Sequence, residues 1–91
     1  MKAYRVFENS ARCASHMMAG WDVDTFATKR AAELFMLCWA YPYTLDAARE
    51  DGRTFDIGVQ YDLGMTEFPV LMEIREVEEY EEQVCKSFGD I

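Results

Sequence analysis

Residues 20–43, GWDVDTFATKRAAELFMLCWAYPY, constrain the chain more than any other stretch, because they hold the longest apolar run and both tryptophans. From Trp21 to Phe26 polar and apolar residues alternate, with Asp22 and Asp24 on one face and Trp21 and Val23 on the other, the period of a half-buried strand. Thr28 breaks that period. Its hydroxyl can accept a bond from one of the unpaired amides that open a helix, and Lys29, Arg30, Ala31, Ala32, Glu33 and Leu34 all favour helix. Residues 34–41 carry no charge. A helix that is polar on one side of its first turn and apolar all round in its last two must bury its C-terminal end or have it covered. Tyr41, Pro42 and Tyr43 stop it, since the residue before a proline is pushed out of the α region.

The remaining segments have to pack around this helix. AYRVFE (Ala3 to Glu8) reads as a strand with Tyr4 and Val6 on one face and Arg5 and Phe7 on the other; two partly apolar faces predict an interior strand. Residues 9–19 fit either a brief helix, capped by Asn9 or Ser10 and placing Ala14, Met17 and Met18 on one side, or an irregular connection. Thr44 can cap a two-turn helix, LDAARED, closed by Gly52 in the left-handed conformation. Residues 54–63 alternate cleanly, Phe55, Ile57, Val59, Tyr61 and Leu63 against Thr54, Asp56, Gly58, Gln60 and Asp62. After a turn at 64–67, residues 68–77 return with Val70, Met72 and Ile74 inward and Glu73 and Arg75 outward, a hairpin with one wet face. Val77, Tyr80, Val84 and Phe88 then recur at helical spacing, with Glu76, Glu78, Glu79, Glu81 and Glu82 on the remaining surface. The expected fold is α+β: one domain over residues 1–91, an antiparallel sheet of about four strands in the order β-β-α-β-β packed on a central helix, and an acidic C-terminal helix.

A chain of 91 residues can bury somewhat over ~60% of its unfolded surface without a disulfide or a structural metal. Cys13, Cys38 and Cys85 are odd in number, widely spaced and without a C-x-x-C pair, which argues against a disulfide framework and a zinc site and for a reducing cytosol. The first ten residues meet Glu8 before an apolar segment can form, so no secretory signal is expected, and no apolar run approaches the ~20 residues of a membrane span. The net charge of −8 is uneven. Residues 1–43 carry five basic and four acidic groups (5 − 4 = +1), whereas residues 44–91 carry four and thirteen (4 − 13 = −9). A surface of that sign repels nucleic acid and anionic lipid and steers toward basic partners.

Motifs for catalysis are weak. His16 follows Cys13 by three residues, but a cysteine nucleophile also needs an orienting group and an oxyanion site. Asp22 and Asp24 lack the glycine and glutamate of a calcium loop, and no glycine-rich phosphate loop, H-E-x-x-H or G-x-S-x-G is present. Two features remain. One is an acidic strip of Asp56, Asp62, Glu67, Glu73, Glu76, Glu78, Glu79, Glu81 and Glu82, read either as a solvated face or as carboxylates standing where phosphates would lie in a basic groove. The other is Trp39, Tyr41 and Tyr43 with Met36, read either as core or as a binding surface rich in hot-spot residue types. In size, acidity and lack of a catalytic signature the chain resembles, in type and through no shared motif, the small inhibitor proteins that bacteriophages carry against host defence nucleases, including anti-restriction and anti-CRISPR proteins. That resemblance implies inhibition of a nucleic-acid-handling partner in the host cytoplasm and carries over no site residue. The expected function is non-catalytic binding of a basic protein, without cofactor, metal, membrane or direct nucleic-acid contact. The alternative is a homo-oligomeric structural or assembly protein, for instance a homodimer, joined through the aromatic and methionine surface of the central helix.

Overall fold

The computed structural model describes residues 2–9, 21–64, 69–78 and 85–86. Strand β1 (Ala3–Glu8) lies in the middle of a five-stranded sheet, antiparallel to β2 (Trp21–Phe26) on one side and to β4 (Leu71–Val77) on the other. Strand β3 (Tyr61–Asp62) borders β4, and β5 (Cys85–Lys86) runs parallel to β2 at the opposite edge. Among the described residues, four antiparallel strands and two helices therefore make a small α+β fold. The interior position of β1 is the one its two partly apolar faces predict. Its register with β4 sets Val6 opposite Ile74 and Glu8 opposite Met72, which aligns the inward residues of both strands. Its register with β2 slips between Val6 and Phe7, so that Asp24 and then Asp22 face it and Val23 is passed over.

Helix α1 (Lys29–Ala40) begins where Thr28 accepts the Ala31 amide at 3.1 Å and ends at Tyr41, whose amide still donates to Leu37 at 3.0 Å. Ala32, Leu34, Met36 and Leu37 on α1 are fully buried against Val6, Phe26, Met72 and Ile74 of the sheet. At roughly 1.5–3 kcal/mol for each fully buried large aliphatic side chain, this layer dominates the stability of the domain. Helix α2 (Leu45–Asp51) starts at Thr44, which accepts the Ala47 amide at 3.1 Å, and closes at Gly52 with φ 71°. Only Ala48 of α2 is fully buried, so α2 is a short brace on α1.

Two expectations are corrected. The long strand over 54–63 is not formed: only Tyr61 and Asp62 pair, with Met72 and Leu71. Gly58 takes φ 78°, the Val59 amide donates to the Asp56 carbonyl, and the Asp56 amide donates to the Tyr61 hydroxyl at 2.9 Å, so the chain turns there. Phe55 and Leu63 are buried as the alternation predicts, but Ile57 and Val59 are exposed beside the turn. Glu73, expected in water, is only 9% exposed, because Arg75 donates to it at 2.9 Å and Asn9 at 3.3 Å and these bonds offset its desolvation. Of the span expected to form the acidic C-terminal helix, Val77 belongs to β4 and Cys85 and Lys86 to β5; residues 79–84 and 87–91, like 10–20, lie outside the described residues. Among the described residues no helix is long and apolar enough to cross a membrane.

Candidate partner-binding surface

The aromatic cluster expected at the end of α1 is divided by the helix itself. Met36 is fully buried and belongs to the core. Trp39, three residues on, is 46% exposed. Its ring leans on Phe35, with centroids 5.6 Å apart, and Phe35 leans on Phe26 at 4.9 Å, the i, i+4 spacing stacking the first pair along one helix face. The indole N–H donates to Glu8 Oε1 at 2.9 Å. Glu8, at the end of β1, is 1% exposed, so the tryptophan shows part of its ring to solvent while its polar edge satisfies an internal carboxyl.

Tyr41 and Tyr43 face a different set of neighbours. Pro42 turns the chain between them, and their rings meet at 5.1 Å with a 48° tilt. At the end of α2, Gly52 folds the chain back so that the Arg53 guanidinium meets Asp51 through two bonds, Nε to Oδ1 at 2.8 Å and Nη2 to Oδ2 at 3.1 Å. Arg53 Nη1 donates to the Tyr41 hydroxyl at 3.2 Å, and its guanidinium carbon lies 5.1 Å from the centre of that ring. The Tyr43 hydroxyl donates to Asp51 Oδ2 at 3.2 Å. Hydrogen bonding to Arg53 holds the Asp51 carboxyl below its usual range, and the same bond with that to Tyr41 raises the guanidinium further above its own.

A second internal carboxylate anchors this corner to the fold. Glu33 on α1 is 3% exposed; it accepts the Phe55 amide at 2.8 Å and pairs with Lys29 at 3.4 Å and Arg30 at 3.3 Å. Arg30 also donates to the Arg53 carbonyl at 3.1 Å. The segment after α2 is thereby tied along the first half of α1.

The acidic strip does not assemble as one uninterrupted face among the described residues. Glu73 is covered and paired, and Glu76 sits 3.3 Å from Lys2, whose ammonium is stabilised in its charged form by that contact. Asp62 accepts the Gly64 and Val70 amides at 2.9 and 3.2 Å, closing the mouth of the β3–β4 connection. Asp56 and Glu78 are exposed, as are Asp46 and Glu50 on α2, which the strip did not include. Glu67, Glu79, Glu81 and Glu82 lie outside the described residues, as do Cys13 and His16. Cys38 is half-buried, and burial raises its thiol pKa, the opposite of what a nucleophile needs. No group of three or more His, Cys, Asp or Glu among the described residues could hold a metal ion.

Sequence reasoning named the tyrosines and missed Asp51 and Arg53. The signal was present in Asp-Gly-Arg at a helix end, where a left-handed glycine turns the following side chain back over the last turn. The buried roles of Glu8 and Glu33 were also missed, although Glu33 sits among Ala32, Leu34 and Leu37 on the apolar side of α1. Compared with protein-family models, curated proteins and solved structures, the chain matches none.

Proposed function

We propose that the protein is a non-catalytic binding module that inhibits a basic, nucleic-acid-handling protein partner, its carboxylates taking the place of phosphates. The observation that carries this reading is the lopsided charge, +1 over residues 1–43 against −9 over residues 44–91. Burial sharpens it. Glu8 and Glu33 of the first half are internal, whereas in the second half Asp51 and Glu73 are covered but Asp46, Glu50, Asp56, Asp62, Glu76 and Glu78 stand in solvent. The partner is a protein with a basic surface, met in the cytoplasm, and the chain itself has no affinity for nucleic acid or membrane.

The test is a binding measurement on the partner recovered from host lysate. Affinity falls steeply with salt, because exposed charge pairs are screened over ~10 Å at 0.1 M. Reversing Asp56, Glu76 and Glu78 to lysine slows association while leaving the melting temperature near that of the parent, since all three side chains are exposed. Nucleic acid competes for the partner. A triple reversal that binds as tightly as the parent at low and moderate salt refutes the reading.

A second reading, a homodimer joined at α1, is supported by the exposed Trp39 ring. It involves Trp39 and Phe35 and no longer Met36. Light scattering at high micromolar concentration decides it, a strictly monomeric mass counting against it.

A further inference from the structure

The corner formed by Tyr41, Tyr43 and Asp51 has the chemistry that recognises a guanidinium. A planar guanidinium is read by a carboxylate meeting two N–H groups along one edge, by a further acceptor on another edge and by an aromatic ring within about 6 Å. All three elements surround Arg53: Asp51 with bonds of 2.8 and 3.1 Å, the Tyr41 hydroxyl at 3.2 Å, and the Tyr41 ring at 5.1 Å. The receiving groups are also held by bonds and contacts that do not involve the Arg53 guanidinium. Asp51 is the last residue of α2 and also accepts the Tyr43 hydroxyl, Tyr41 caps α1, and the two rings pack on each other.

The occupant, by contrast, is open to solvent. The Arg53 side chain is 43% exposed against 15% for Asp51, so the guanidinium lies at the mouth and the carboxylate deeper. Its backbone is fixed by separate bonds, the amide to Asp51 and the carbonyl from Arg30. The side chain can therefore swing into solvent without unfolding the segment. Exposed ion pairs contribute little, so a second guanidinium can replace this one at small cost.

We propose that Tyr41, Tyr43 and Asp51 form an arginine-binding site for a protein partner, with Arg53 as its displaceable internal occupant. The proposal rests on the reading of the chain as a binder of basic proteins and names one side chain that the partner contributes. Lysine is a poor substitute, since a compact ammonium cannot meet both carboxylate oxygens and the phenol in one plane.

The experiment titrates the parent, Arg53→Ala and Asp51→Asn with a short peptide carrying two arginines and no other charge, and with its lysine counterpart. Binding is followed by calorimetry and by the ring resonances of Tyr41 and Tyr43, and melting curves check that each variant is folded. The parent prefers the arginine peptide, Arg53→Ala binds it about fivefold more tightly as the exposed pair is removed, and Asp51→Asn loses the preference. The melting curve and the tyrosine ring resonances of Asp51→Asn without peptide separate loss of the carboxylate from a fold defect. If Arg53→Ala binds no better than the parent, the site is refuted. Equal binding of the two peptides by the parent and by Asp51→Asn also refutes it, yet leaves the acidic-surface reading standing, because diffuse attraction does not distinguish arginine from lysine. No binding of either peptide to any form counts against both.

Discussion

Trp39 and Glu8 illustrate how a single hydrogen bond links a surface ring to the interior. Replacing Trp39 with phenylalanine keeps most of the ring contact with Phe35 but removes the N–H that meets Glu8 at 2.9 Å. Loss of one of the hydrogen bonds to an internal carboxyl costs about 1–3 kcal/mol. The melting temperature of Trp39→Phe is therefore expected to drop by several degrees, and Glu8→Gln in the same background should recover part of it; an unchanged melting curve would show the bond to be idle. At Asp51 the controlling variable is pH. Its folded-state pKa is depressed below the ordinary 3.8 chiefly by the bond to Arg53. Its contribution is thus complete above that value and disappears as pH falls through the lower, folded one. Urea midpoints of the parent and Asp51→Asn should differ at neutral pH and converge below pH 3.8; a gap that stays constant down to pH 2 contradicts the assignment.

At the scale of elements, local chemistry was readable wherever a residue acted on its own backbone. Thr28 and Thr44 start α1 and α2, and Gly52 ends α2, at the positions their side chains or flexibility dictate. The alternation at 54–63 failed for a tertiary reason. Gly58 and the Tyr61 hydroxyl close a turn that a period-two pattern cannot reveal, and a hydrogen bond from the Gly58 amide to Ile74 replaces the ladder. Glu33 was hidden for a related cause: its partner, the Phe55 amide, is 22 residues away. Its role yields a sharp expectation. Glu33→Ala leaves that amide buried without an acceptor and removes the partner of Lys29 and Arg30, costing roughly 3 kcal/mol. Glu33→Gln keeps an acceptor oxygen and should cost about 1 kcal/mol. Equal losses in denaturant titrations would mean that charge, rather than the amide bond, fixes the segment to α1.

For the molecule as a whole, the fold class and the acidic character were legible, while the division of carboxylates between interior and surface was not. Composition counts Glu8, Glu33 and Glu78 alike; only the packing separates the first two from the third. The same limitation applies to the candidate site, since Tyr41 and Tyr43 advertise themselves by type but Arg53 acquires its role only when Gly52 turns it back. The sheet also joins distant parts of the chain, which places the domain among slower-folding topologies of its size. Stopped-flow refolding should take milliseconds or longer, and a microsecond phase carrying the full amplitude would be inconsistent with this pairing. The central position of β1 has a consequence during synthesis. Ala3 pairs with Val77, so at roughly 5–20 residues per second the ribosome delivers that partner on the order of 4–15 s after β1 itself. Through that interval β1, β2 and the apolar side of α1 lack the strand that pairs with β1, leaving apolar surface of the kind that chaperones bind.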